Sequence, residues 1–461
     1  MTSILVAIGE LFNNLGATIV LPIVLTILGL ILGMKFTSAI RSGVIVAVAF
    51  VGIFLTVGLL GDNMAELGVA FAERTGTGLD IIDIGWPAAS AIAFGTPVGN
   101  LIIPIALLLN ILLLVLGLTK TLNIDVWNYW HQAFIGSVVA YVTGSVTLGL
   151  VAAAANVIMT LFLADWSQPF IEKYFKLPGV SIPHLQSAGY MLLAVPFAAL
   201  LNKIPFLKKI HLDPDNIRRR LGLLGEPVFL GLFIGVLLAA LAGQSFLDVL
   251  YTGINIAAVM ILIPRMVGIL VEGLSPVADA ARKFMMKKFP GREFFIGLDS
   301  AVLVGSPAVI ASGLLMIPVY LGMALLLAPL GNRTLPFIDL ADGVFVTAMI
   351  VPLVGGDLLM TLILGAIVMG IGMIFTTLLS PAVTAMVAAS PTVDIPTGFS
   401  NFTVMSDGAI PHSYIFYYIF QSPVVVALLI TALLLVGQYL LAKKLPLGEK
   451  IFKIEEETEN N

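Results

Sequence analysis

Long apolar runs dominate this chain, and several approach the ~20 residues that an α-helix needs to cross a bilayer. Leu101 to Leu118 reads LIIPIALLLNILLLVLGL, and Val424 to Ala442 reads VVVALLITALLLVGQYLLA. Of the 461 residues, 59% are hydrophobic and only 11% charged, against about 25% charged in a soluble domain. A protein core cannot absorb that much apolar surface, whereas lipid can. The 44 glycines and 25 prolines argue against a simple bundle, because such residues accompany broken membrane helices that line cavities. The chain has no cysteine, which excludes disulfides, thiolate metal sites and a thiol nucleophile of its own. No basic segment precedes the first apolar run, so that run is expected to stay as a helix rather than be cleaved as a signal. The polar stretch 203–225 is too short for a catalytic domain, and soluble chemistry must come from another polypeptide.

Apolar segments fall near residues 12–34, 43–61, 84–98, 99–118, 131–163, 184–202, 227–246, 250–271, 295–312, 313–330, 343–379, 381–418 and 422–442. Two of them, 84–98 and 295–312, are short and rich in Gly, Pro, Ser and Thr, and read as broken or re-entrant elements. The segment 381–418 carries a similar interruption, PTVDIPTGFS. These features recur in order. AIAFGTPV (Ala91 to Val98) matches AVLVGSPA (Ala301 to Ala308), LNID (Leu122 to Asp125) matches PFID (Pro336 to Asp339), and VSIP (Val180 to Pro183) matches VDIP (Val393 to Pro396). A competing register sets the Ile-Pro-His string of His184 against that of His412.

Charge orients the two halves. The segment 62–83 holds Asp62, Glu66, Glu73, Asp80 and Asp83 against Arg74. Its counterpart 275–293 holds Arg282, Lys283, Lys287, Lys288 and Arg292 against Asp279 and Glu293. Cytoplasmic loops collect Lys and Arg, so the second segment is expected inside and the first outside. The loop with Lys203, Lys208, Lys209 and Arg218 to Arg220, and the tail with Lys443 and Lys444, are also expected inside. The N-terminus then lies outside and the C-terminus in the cytoplasm, which requires an odd number of crossings, about eleven. The expected fold is an all-α polytopic membrane protein with an inverted-topology repeat. In such folds the substrate site lies near the midplane on discontinuous helices. The expected divisions are a first repeat over 1–202, a basic loop over 203–226, a second repeat over 227–418, and a final helix and tail over 419–461.

Ionisable groups inside apolar segments are costly, and so are candidates for function. Asp299, in FIGLDSAVLVGSP, sits in the broken element of the second half. It is either a functional carboxylate or a cap on a half-helix, and the two roles can coincide. By the Ala91/Ala301 register its counterpart falls near Ala89 and Ser90. His131 in WNYWHQAF and His184 in SIPHLQSAGY can both donate and accept hydrogen bonds, which suits hydroxyl-rich ligands. Trp86, Trp127 and Trp130 either stack on a sugar or sit at the membrane interface. His211 reads as solvated, and Asp357 reads as either a helix-pairing group or a second site residue. The chain has no GxxxxGK[ST] loop, no HExxH and no clustered metal-ligand pattern, so neither nucleotide hydrolysis nor a metal cofactor is expected.

The strings IDIGWPAASA, LNIDVWNYWHQAF, IPHLQSAGY and FPGREFFIGLDSAVLVG resemble the galactitol-type membrane permease, enzyme IIC, of the bacterial phosphotransferase system. The likeness runs from about Leu21 to Asp342 and fades after about residue 380. It implies a homodimer in the inner (plasma) membrane, each subunit with a core domain and a V-shaped dimerisation domain, working by an elevator movement. It also implies phosphorylation of the entering sugar by a phosphocysteine on enzyme IIB, fed through IIA, HPr and enzyme I, with no nucleic acid involved. The binding residues it implies are Asp62, Asn63, Ser90, His131, His184 and Asp299; Asp299, on a broken helix in the half whose basic loops are expected to face the cytoplasm, is the expected catalytic base for the sugar hydroxyl. The sugar it implies is galactitol, with arabitol, other pentitols or galactose as alternatives. Residues alone also allow a proton- or sodium-coupled transporter with Asp299 as the coupling group. A lipid-modifying membrane enzyme finds no supporting motif. The charge pattern is tested directly by single cysteines at Glu66 and Lys287. They are expected to label from opposite sides of intact cells, and labelling of both from outside would remove the inverted repeat.

Overall fold

The computed structural model describes residues 17–76, 78–125, 127–207, 212, 226–288, 290–336, 338–390 and 400–444. The first part of the chain runs through α1 (Ala17–Ile31), α2 (Phe36–Thr75), β1 (Ile81–Asp83), α3 (Gly85–Gly95), α4 (Gly99–Val115), β2 (Thr121–Asn123), α5 (Trp130–Thr143), α6 (Val146–Phe175), β3 (Val180–Ser181), α7 (Leu185–Ala188) and α8 (Met191–Leu201). The second part continues through α9 (Pro227–Ala242), α10 (Phe246–Lys288), β4 (Phe295–Gly297), α11 (Ala301–Val304), α12 (Pro307–Leu327), β5 (Thr334–Leu335), α13 (Gly343–Leu353), α14 (Leu358–Ala388), β6 (Asn401–Thr403), α15 (Met405–Gly408), α16 (Pro411–Ile419) and α17 (Val424–Lys444). His211 and the VDIP string at 393–396 lie outside the described residues, as do most of the basic loop and the tail.

Four helices among the described residues are long and apolar enough to cross a membrane: Val146–Phe175, Pro307–Leu330, Leu358–Ala388 and Val424–Lys443. A fifth span forms if the pair around Gly95–Gly99, bent by 86°, counts as one. The terminal helix α17 turns most of its surface outward, with Val425, Leu429 and Leu433 all exposed. Aliphatic side chains in that position suit lipid.

Both broken elements expected from Gly, Ser, Thr and Pro are present. At the first, Thr96 fills the gap between α3 and α4: its hydroxyl donates to Ala93 O at 2.7 Å and accepts the Gly99 N–H at 3.0 Å. At the second, the one-turn α11 stops at Gly305 and α12 restarts at Pro307, where a missing N–H costs nothing. The acidic 62–83 and basic 275–293 segments are built mainly on long helices. They are largely continuations of α2 and α10, which have 40 and 43 residues. At 1.5 Å per residue these helices reach ~60 Å, about twice the hydrocarbon thickness, so a charged end can stand clear of lipid. The pair run antiparallel: Arg41 bonds Glu272 at 3.0 Å, and the bare backbones of Gly52 and Gly273 face Met266 and Val46.

The all-α expectation needs correction. Among the described residues, six strands of two or three residues form two small parallel sheets, ordered β5-β1-β6 and β2-β4-β3. Such strands are too short to leave a period-two signal in sequence. Each sheet's central strand comes from one part of the chain and its outer strands from the other. Asn110 and Asn332 brace matching strands. Asn110 donates to Thr121 O at 2.8 Å and accepts from Asn123 N at 2.9 Å; Asn332 donates to Thr334 O at 3.1 Å and accepts from Thr334 N at 3.0 Å. The strand before α7 takes in one sheet the place that Asn401–Thr403, before α15, takes in the other. Asp299 follows β4 by two residues, as Gly85 follows β1.

Helices α5 and α6 meet through Gly136 and Gly149. A Cβ on Gly136 would stand 2.6 Å from Gly149 O and 2.8 Å from both Ala153 Cβ and Val98 Cγ1. Gly136→Ala is therefore expected to destabilise the detergent-solubilised protein by roughly 1–3 kcal/mol through overpacking. Gly322→Ala on α12, with no atom within 4 Å of its Cβ, serves as the neutral control in the same thermal-melting assay.

Candidate functional site

The site begins with two carboxylates that serve helix starts. A broken helix exposes N–H groups that have no partner within the helix, and apolar surroundings make that expensive. Asp83, at the end of β1, accepts from Gly85 N at 3.1 Å, Met405 N at 3.0 Å and Asp339 N at 2.7 Å. Asp339 accepts from Trp86 N and Ser406 N, both at 2.9 Å. The starts of α3 and α15, more than 300 residues apart in sequence, are thereby tied to one point. In the other sheet, Asp299 Oδ1 accepts from Ala301 N at 2.8 Å, so the capping role is real.

His131 is the second residue of α5 and is fully buried. His184 sits where the chain leaves β3 and enters α7. Their ring centroids lie 4.9 Å apart, with Trp130 beside His131 at 4.1 Å and the Phe345 ring edge-on to His184 at 5.7 Å. His184 Nδ1 is 3.3 Å from Asp299 Oδ1 and within hydrogen-bond reach of Ser300 Oγ. Ser187 Oγ stands 2.8 Å from both Ser300 Oγ and Phe345 O, which fixes α7 against β4's exit loop and α13. His131, His184 and Asp299 thus share one buried cluster drawn from both parts of the chain. Ser90 is buried on α3, which packs against α5. Asp62 and Asn63 fall on α2, and their side chains lie outside the described ones.

One member of the cluster escaped the sequence reading. Asp407, on α15, brings both oxygens to His131 Nδ1, at 2.8 and 3.0 Å. Its signal was present as an aspartate inside an apolar segment, but the repeated Ile-Pro-His string nearby begins three residues beyond it, at Ile410. Other candidates take quieter roles. Asp357 caps α14 by accepting from Met360 N at 2.8 Å. Trp127 packs against Phe94 at 5.4 Å and Trp130 against His131, so both belong to the interior rather than to an interfacial belt. His412 is buried at the start of α16. Among the described residues no group of three or more His, Asp or Glu side chains is arranged to hold a metal ion.

Chemically, the cluster offers two imidazoles and two carboxylates in an apolar surround, a set suited to a neutral ligand with several hydroxyl groups. The comparisons agree in kind. The family described as the sugar-specific permease component of the phosphotransferase system, EIIC-GAT, matches residues 10–398. A putative permease IIC component of Escherichia coli K12 is 39% identical over 373 residues, covering 81% of this chain and 85% of that protein. The galactitol-specific EIIC components of Escherichia coli K12 and O157:H7 are each 38% identical over 358 residues, covering 78% of this chain and 79% of theirs. With its apolar spanning helices, the chain belongs to the EIIC-GAT family of multi-pass membrane permeases, the sugar-specific IIC components of the phosphotransferase system.

Proposed function

We propose that this permease imports a polyol, galactitol first among the candidates, and presents it for phosphorylation by a phosphocysteine on enzyme IIB. The observation that carries this reading is the buried convergence of His131, His184 and Asp299 at breaks in the helical structure. A polyol carries hydroxyl groups that act as both donors and acceptors, and imidazole and carboxylate groups complement them. The 38% identity to galactitol-specific components supports the choice of sugar. Asp62, Asn63 and Ser90 complete the proposed binding set. The two sheets, each built with strands exchanged between the parts of the chain, support an inverted repeat with units 1–202 and 227–418; the charge pattern supports an odd number of crossings, about eleven. In this reading the N-terminus is outside, the C-terminus is cytoplasmic, and the core moves as an elevator against a dimerisation domain in a homodimer.

In the chemical step the sugar hydroxyl attacks phosphorus. The new O–P bond forms as the S–P bond breaks, and the cysteine thiolate leaves with the electron pair. The hydroxyl proton passes to the Asp299 carboxylate. Positioning and electrostatics dominate phosphoryl transfer, so a single placed base is the chief demand on this chain.

Two results follow from this mechanism. In membrane vesicles with phosphorylated IIB, the product inside is expected to be the sugar phosphate. Concentrative uptake of unmodified sugar, abolished by a protonophore, would instead identify a proton-coupled transporter. For Asp299→Asn, the amide oxygen still accepts the Ala301 N–H, so the fold is retained. Galactitol binding is expected to persist while phosphorylation slows by roughly 10²–10⁴. Unchanged phosphorylation would leave Asp299 as a cap only, and complete loss of binding would make it a ligand group rather than the base.

A further inference from the structure

Asp407 is wholly buried in a one-turn helix, where an ionised carboxyl group needs a partner. Its partner is the imidazole of His131, 276 residues away in sequence. Nδ1 stands 2.8 Å from one carboxylate oxygen and 3.0 Å from the other. Near-equal distances are what an N–H directed between two accepting oxygens produces. A protonated carboxyl would turn one oxygen to the ring and hold the other away. Across the ring, Nε2 is buried and has no partner among the described residues. An imidazolium would therefore bury a charged N–H without an acceptor, which costs more than burying a lone pair.

We propose that Asp407 is a positioning residue that holds the proton of His131 on Nδ1 and leaves Nε2 as a lone-pair acceptor for a hydroxyl of the bound polyol. The ligand class rests on the permease reading above; the protonation pattern does not. Asp407 is well placed for the task, because α15 is itself anchored: Met405 N and Ser406 N are held by Asp83 and Asp339. The ring cannot swing freely, with Trp130 and His184 packed beside it. A pair that merely joined α5 to α15 would leave the empty Nε2 unexplained.

Nitrogen-15 NMR of the full-length, histidine-labelled protein in nanodiscs tests the pattern without ligand, with His131→Gln assigning the signals. The expected His131 has a protonated Nδ1 and an unprotonated Nε2. In Asp407→Asn, whose side chain can present either its oxygen or its amide group, that single tautomer is expected to become a mixture. A wild-type signal with Nε2 protonated, alone or together with Nδ1, overturns the proposal. Calorimetry with galactitol gives the second readout. Asp407→Asn is expected to weaken binding roughly tenfold, the scale of one hydrogen bond, and to add less than about twofold in a His131→Gln background. Additive losses would mean that Asp407 supports the fold rather than acting through His131, and would also overturn it. If the wild type fails to bind galactitol, the choice of sugar falls, and the NMR still decides the role of Asp407.

Discussion

Five backbone N–H groups converge on the carboxylates of Asp83 and Asp339, and the geometry of the site depends on them. A helix that starts inside a membrane protein leaves N–H groups that neither water nor lipid can satisfy. Here the two aspartates supply the acceptors, and each serves residues distant in sequence. Asp83 links the start of α3 to the start of α15, and Asp339 holds the next residue of each. The broken helices are thus held by hydrogen bonds as well as by packing, so their first turns have little freedom to shift.

That rigidity is transmitted to the cluster of imidazoles and carboxylates. Asp407 follows Ser406, whose N–H is held by Asp339, and Asp407 in turn orients His131. On the other side, Asp299 caps α11 and faces His184, while Ser187 and Ser300 join α7 to the exit of β4. Polar groups in a low-dielectric interior are valuable only when held in place, because an unpaired one is costly. The same physics explains why the small sheets exist. Two or three strand residues satisfy the backbone where helices cannot continue, and they align the chain entering each half-helix.

Scaffold and site meet different demands. The long antiparallel pair α2 and α10 pack through bare glycine backbone and carry exposed aliphatic stripes such as Ile40, Val44, Val48 and Leu55. The interior around α5 and α6 is instead nearly all buried, including polar side chains such as Gln132, whose amide bonds Thr160 at 3.0 Å. Side chains bathed in lipid are free of packing constraints, whereas those around α5 are fixed on every side.

A multi-pass membrane protein was legible from composition and residue order, because 59% apolar residues in long runs have no soluble solution. The sequence also located the breaks at Gly95 and Gly305 and singled out His131, His184 and Asp299, since ionisable groups in apolar runs are conspicuous. Residue order could not reveal the exchange of a central strand in each three-stranded sheet, because strands of two or three residues have no period to read. It could not tell a helix end from a loop in the charged segments 62–83 and 275–293, since a polar helix projecting beyond lipid has the composition of a loop. Nor could it assign Asp83, Asp339 and Asp407, whose partners lie between 253 and 322 residues away for the bonds to Trp86, His131 and Met405. Those assignments were decided by tertiary structure alone, because an acceptor for a buried N–H is chosen by proximity in space.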